Sequence, residues 1–215
     1  MMLIQLPLSC GGYDIPTVKT LRTPTPPPMI PKPSVPAGHP TELPIPEAYW
    51  VIPGRLLVGE YPGIPFAPER TRQRLDAFLE AGFDNFIDLT GPAETATPYE
   101  PILLEQAGAY GVEVRHTHFP IGDFGVPSID GMNSVLDGID ASLARGARTY
   151  LHCYGGIGRT GTVVGCFLVR HGQSGEAALQ QLAAWWQKVP KHTRYPHSPE
   201  TLTQEAFVRE WKNGG

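Results

Sequence analysis

His152-Cys153-Tyr154-Gly155-Gly156-Ile157-Gly158-Arg159-Thr160-Gly161 lies between two apolar runs, Thr149-Tyr150-Leu151 before it and residues 162–169 after it. The pattern predicts a short strand, a glycine-rich turn and a helix. Three glycines between Cys153 and Arg159 let the backbone curl so that successive N–H groups point inward, a nest suited to a phosphate dianion. The helix that follows adds its positive N-terminal end.

Within such a nest a cysteine sits among oriented dipoles and close to a guanidinium, surroundings that favour the thiolate over the thiol. Cys153 is therefore the candidate nucleophile. Arg159 offers a planar fork able to hold two phosphoryl oxygens and to follow them as charge spreads, which a lysine ammonium cannot do. Tyr154, Gly155, Gly156, Ile157 and Gly158 complete the candidate anion cradle. Thr160 is expected to donate a hydrogen bond to the Cys153 sulfur, and His152 to brace the loop from behind. The stretch is not a G-x-x-x-x-G-K-[ST] nucleotide loop, because arginine stands where the lysine belongs and the glycine spacing differs.

A departing ester oxygen needs a proton, so a carboxylic acid is required near this loop. Asp123 lies in Phe119-Pro120-Ile121-Gly122-Asp123-Phe124-Gly125-Val126-Pro127, a segment with proline toward both ends and glycine inside. That composition predicts a hinged loop leaving a strand near the same sheet edge as Cys153. Asp130 is the rival acid, but near the start of a helix it is explained by the helix dipole.

Away from these segments, strand and helix signals alternate. Strands are expected at 50–52, 56–58, 85–89, 112–119 and 149–151, and helices at 68–81, 99–110, 128–145 and 162–171. One further helix should follow Ser174, and another Ser198-Pro199, read as a capping serine before a first-turn proline. The alternation argues an α/β domain whose central sheet is mostly parallel, with helices on its flanks.

Half of the 24 prolines precede Trp50, in runs such as Pro24-Thr25-Pro26-Pro27-Pro28. Residues 1–46 are thus expected to be a disordered, proline-rich leader, and residues 47–213 the folded domain. The net charge of −4, spread along the chain, gives no footprint for nucleic acid. No apolar run approaches the ~20 residues of a membrane span. The start, Met1 to Cys10, is read as a tail rather than a signal or anchor. Three scattered cysteines indicate neither a disulfide scaffold nor a zinc site, and a reducing, cytoplasmic setting suits a reactive thiol.

His152 to Gly161 resembles the signature of the protein tyrosine phosphatase superfamily, and its Cys-Tyr-Gly-Gly-hydrophobic-Gly-Arg portion is similar to that of kinase-associated phosphatases, compact dual-specificity members. Residues 120–127 resemble the general-acid loop of that group, though Gly122 and Phe124 differ from the kinase-associated version. Trp50 to Gly63 resembles the opening strands of bacterial dual-specificity-like phosphatases, and the likeness runs from about Glu47 to Trp211. It implies a cysteine-phosphatase fold, no metal or other cofactor, a phosphorylated protein as substrate, and chemistry through a phosphocysteine. Cys153 would attack phosphorus while Asp123 protonates the leaving group, and Asp123 would then direct water onto the intermediate. Gln204 falls in a stretch similar to one where relatives carry a glutamine near the site; a water-positioning role and a solvated helix position are both open. Non-protein phosphoesters such as RNA 5′-ends or inositol phosphates, and phosphate binding without turnover, remain the alternatives. The cradle lacks lysine, which disfavours multiply charged substrates.

Three lesser features have plainer readings. His116 and His118 would share one face of a strand without a third metal ligand at suitable spacing. Cys166 is read as a core residue. Lys191, His192 and Arg194 form a small basic loop, either bordering the site or solvated.

Overall fold

The computed structural model describes residues 42–212 apart from Ala93 and Ala96. Most of the proline-rich leader therefore lies outside the described residues. Its last part does not: Ile45 is 2% exposed and packs in the core, so ordered packing reaches back past Glu47.

Five strands form one sheet in the order β1-β2-β5-β3-β4. They are β1 (Ala48–Ile52), β2 (Leu56–Gly59), β3 (Asn85–Asp88), β4 (Arg115–His118) and β5 (Thr149–His152). Only β1 runs antiparallel, paired to β2; the other neighbours are parallel. Parallel strands need crossovers, and the helices that supply them cover both faces. That is why β2, β3 and β5 are buried along their whole length.

Side chains alternate across the sheet, so β1, β2, β3 and β5 each feed two cores. Leu57, Phe86 and Tyr150 face α1 (Pro68–Glu80) and α2 (Glu100–Tyr110), meeting Leu75, Phe78 and Leu103. Leu56, Val58, Ile87 and Leu151 face the opposite way, toward α3 (Ile129–Ala144), α4 (Gly158–Arg170), α5 (Gly175–Trp186) and α6 (Leu202–Glu210). Phe86 is 0% exposed, so truncating it to alanine is expected to cost about 3–5 kcal/mol. No helix among the described residues is long and apolar enough to cross a membrane.

Element types follow the sequence reading, while several ends differ. β4 is confined to Arg115–His118, shorter than the expected 112–119, because Val112 and the residues around it are consumed by the turn after α2, where Gly111 takes φ 63° and Val112 N–H donates to Ala107 O. α4 begins at Gly158, inside the glycine-rich stretch rather than after it. Ser198 does not cap α6. The cap is Thr201, which accepts from Gln204 N–H while the Gln204 side chain returns to the Thr201 N–H, a reciprocal capping box. Ser198, in a cis peptide with Pro199, instead donates its hydroxyl to Ile157 O at 2.9 Å.

Since β2, β5, β3 and β4 are parallel, their C-terminal ends share one edge. Open α/β sheets bind ligands at that edge. β5 delivers His152 and Cys153 there, and β4 delivers the segment carrying Asp123.

Candidate active site

The turn after β5 is held open by what binds its carbonyls. His152 Nδ1 donates to Cys153 O at 3.1 Å, and Tyr61 N–H to Tyr154 O at 3.0 Å. Lys191 Nζ donates to Gly155 O at 3.1 Å, and Ser198 Oγ to Ile157 O at 2.9 Å. A trans peptide carries its C=O and the next N–H on opposite sides. Fixing these oxygens outward therefore turns the intervening N–H groups inward, making the anion nest expected of Tyr154 to Gly158.

Gly156 is indispensable to this curl. Its φ is +74°, and a Cβ would lie 2.5 Å from Gly59 C and 2.6 Å from Glu60 N, both backbone atoms. The same conformation brings its N–H to the Cys153 sulfur at 3.3 Å. Cys153 itself is 2% exposed at the floor of a small pocket that Asp123, Phe124, Glu200 and Gln204 also line. The hydrogen bond expected from Thr160 to this sulfur is not formed. Thr160 is fixed in the first turn of α4, and its buried hydroxyl finds no partner among the described residues, while the loop itself supplies the sulfur with a donor.

His152 is fully buried, and desolvation pushes its pKa down to about 4, against the pull of Asp88 3.8 Å away. At neutral pH it is an uncharged ring whose tautomer the partners assign. Nδ1 carries the proton given to Cys153 O, so Nε2 accepts from Tyr99 Oη at 2.7 Å. Burial alone would raise the pKa of Asp88, but His152, His116 and Thr90 outweigh it and hold the carboxyl below its usual range. His116 thereby faces Asp88, and His118 Nε2 bonds Thr90 O at 2.7 Å. Both histidines serve the strand ends under the loops.

Arg159, 3% exposed, is oriented by a residue that sequence reasoning missed. Glu94 Oε2 accepts from Nη1 at 2.5 Å and Oε1 from Nη2 at 2.6 Å, a bidentate pair. Gly91 N–H holds the same carboxylate at 2.7 Å. Desolvation opposes ionisation of Glu94, yet the arginine outweighs it and lowers the pKa. Nothing local in Thr90-Gly91-Pro92-Ala93-Glu94 marks such a role; the signal is only that Arg159 requires a carboxylate partner once buried.

The other hydrogens on Nη1 and Nη2 point to the acid segment. Nη1 donates to Ile121 O at 3.1 Å, and Nη2 lies 3.0 Å from Asp123 Oδ1. Asp123, not Asp130, thus meets the loop of Cys153; Asp130 sits in the first turn of α3. Gln204 is fully buried rather than solvated, its Nε2 donating to Gly125 O at 3.1 Å. Lys191 is paired with Glu60 Oε2 at 2.5 Å and so braces the loop, whereas Arg194 is exposed and lies over the Tyr195 ring. Cys166 is buried in the core, where desolvation pushes its thiol pKa far up.

A loop that holds a buried cysteine after the central strand of a mostly parallel sheet, with arginine and a facing carboxyl, has a match among known families. The sequence model of the Swiss Army Knife DSP-PTPase phosphatase domain, PTP-SAK, fits residues 46–208. The chain belongs to that family. It is a compact member of the protein tyrosine phosphatase superfamily. Cyclin-dependent kinase inhibitor 3 of Sus scrofa is 36% identical over 69 residues, 32% of each chain, so the match spans about a third of that relative's length. The crystal structure of Tk-PTP in its active form superposes with a TM-score of 0.56 at 26% identity, covering 79% of this chain and 99% of that one. Kinase associated phosphatase, with its catalytic cysteine replaced by serine, shares the fold at a TM-score of 0.58 and 22% identity, over 72% of this chain and 84% of its own.

Proposed function

We propose that this PTP-SAK member is a protein phosphatase that hydrolyses phosphotyrosine, and phosphoserine or phosphothreonine through the same pocket, by way of a phosphocysteine. The observation that carries the substrate class is the charge of the pocket. Among its described lining residues Arg159 is the one cation, while Asp123 and Glu200 contribute carboxylates. Burial, then Asp123, raise the pKa of Glu200, against the opposing pull of Arg159. A lone phosphomonoester on a protein side chain suits that balance, whereas a polyphosphorylated ring would bring further anions against two carboxyl groups.

In this reading the Nη1 and Nη2 hydrogens of Arg159 are engaged by Glu94, Ile121 O and Asp123. A phosphoryl group gripped by two N–H donors therefore takes Nη2 over from Asp123. That exchange frees the carboxyl for the leaving group. The Cys153 thiolate attacks phosphorus, the P–O ester bond breaks, and protonated Asp123 gives its proton to the departing oxygen. Water then attacks the phosphocysteine, Asp123 accepts its proton, and the S–P bond breaks to return thiolate and inorganic phosphate. His152 would hold the loop by its donated Nδ1 hydrogen, and residues 45–211 would form the catalytic unit.

Two measurements test this. Cys153→Ser should abolish p-nitrophenyl phosphate hydrolysis while tungstate still binds; residual turnover would remove Cys153 from the role of nucleophile. Wild-type kcat/KM should be higher on phosphotyrosine peptides than on inositol polyphosphates or RNA 5′-phosphates, and the reverse order would overturn the protein-substrate reading.

A further inference from the structure

Gln204 stands on α6, yet its side chain joins three separate parts of the site. Its Oε1 accepts the N–H groups of Glu200 and Thr201 at 3.1 and 3.2 Å, closing the N-terminus of the helix. Its Nε2 crosses to the acid loop and donates to Gly125 O at 3.1 Å. Its amide also fills the space where a side chain on residue 158 would stand, since a Cβ on Gly158 would lie 2.7 Å from Oε1 and 2.9 Å from Nε2. The group is 0% exposed, so its hydrogen bonds are made away from competing water.

Gly125 follows Asp123 by two residues, and the turn between them is strained. Phe124 has φ +55°, a left-handed conformation that bulky residues rarely adopt, while its side chain remains 57% exposed. Burial of Phe124 therefore does not hold this turn. Gly125 N–H returns to Gly122 O at 3.0 Å, and a Cβ at Gly125 would meet the same oxygen at 3.0 Å. The tie across to α6 comes from Gln204.

We infer that Gln204 is the latch of the acid loop, a positioning residue that holds Asp123 over Cys153 through the Gly125 carbonyl. It acts through Asp123, and the inference rests on Asp123 being the general acid. A loop released from Gln204 leaves the strained turn free to open, and the carboxyl then meets the leaving oxygen less often. The first step suffers in proportion to its need for a proton. A glutamine that instead positions the hydrolytic water would act only after the ester bond has broken.

Gln204→Glu separates the latch from the helix cap. Glutamate keeps both capping acceptors, but as a carboxylate it has no hydrogen to give Gly125 O. Wild type, Gln204→Glu, Asp123→Asn and the double variant are compared by kcat/KM, which reports steps through ester cleavage. Phenyl phosphate has a poor leaving group and p-nitrophenyl phosphate a good one. Thermal unfolding confirms that the Gln204→Glu chain is folded, and Gln204→Ala provides a second variant without the added charge. The expected result is a loss of about tenfold or more on phenyl phosphate, a much smaller loss on p-nitrophenyl phosphate, and no further loss on either ester once Asp123 is asparagine. Equal losses on the two esters, or a loss that persists in the Asp123→Asn background, overturn the latch. A fall in kcat with kcat/KM unchanged also overturns it and assigns Gln204 to the water. If Asp123→Asn alone shows no leaving-group dependence, the acid assignment itself fails, and the single variant reports that separately.

Discussion

Glu94 grips Arg159 through both carboxylate oxygens, at 2.5 and 2.6 Å from Nη1 and Nη2. The pair joins the loop after β3 to the first turn of α4, so the guanidinium is aimed before any phosphate arrives. Preorganised charge of this kind is where phosphoryl transfer gains most of its rate. Glu94→Gln preserves shape and removes the charge. Its kcat/KM on phosphotyrosine peptides should fall about 10²-fold; wild-type rates would mean that α4 alone aims the arginine.

The acid assignment makes a separate demand. Asp123→Asn should lower turnover of phenyl phosphate by roughly 10²–10⁴-fold and of p-nitrophenyl phosphate much less. Asp130→Asn, altered on the surface of α3, should leave both rates near wild type. A leaving-group-dependent loss at Asp130 in place of Asp123 would exchange the two roles.

Gly156→Ala should disable the loop, because φ +74° and backbone atoms at 2.5 and 2.6 Å leave nowhere for a methyl group. A destabilisation of about 3 kcal/mol or more is expected in denaturant unfolding, together with loss of activity. Gly111→Ala is the control. It also has positive φ, but nothing lies within 4 Å of its added Cβ, so only the backbone penalty of about 1–2 kcal/mol should appear, with activity kept.

His152 gives stability a pH dependence of known sign. Its folded pKa, about 4, lies below the ordinary histidine value near 6.5, so the unfolded chain binds the extra proton. The contribution is full above pH 6.5 and is lost as pH falls toward 4. Asp88, also depressed, adds a loss in the same direction, but only below the ordinary carboxylate range near 4. Unfolding midpoints between pH 7 and 4.5 should decline in wild type and decline less in His152→Asn. An unchanged slope in the variant would show that His152 is not the group that titrates.

The sequence made the anion loop legible because its chemistry is local: cysteine, glycines and arginine within seven residues, between apolar runs. The loop of Asp123 was legible by its composition, and the structure sets its carboxylate 3.0 Å from Arg159 Nη2. Glu94 was not, since it lies 65 positions from Arg159 and only folding brings them together. Gln204 was left open between a place near the site and a solvated helix position, and only the packing of α6 shows its amide against Gly125 and Gly158. Thr160 shows the converse: its hydroxyl was expected on the Cys153 sulfur, and in the first turn of α4 it finds no partner among the described residues. The cap of α6 was misplaced because Ser198-Pro199 imitates a helix start, while the reciprocal bonds of Thr201 and Gln204 outcompete it.

As the proposed nucleophile, Cys153 carries the phosphoryl group during turnover. Rapid acid quench of the enzyme turning over a ³²P-phosphotyrosine peptide, followed by peptide mapping, tests it directly. Label is expected on the peptide containing Cys153 within the first turnover, and none in Cys153→Ser. Turnover with no labelled Cys153 peptide, or label on another residue, would contradict it.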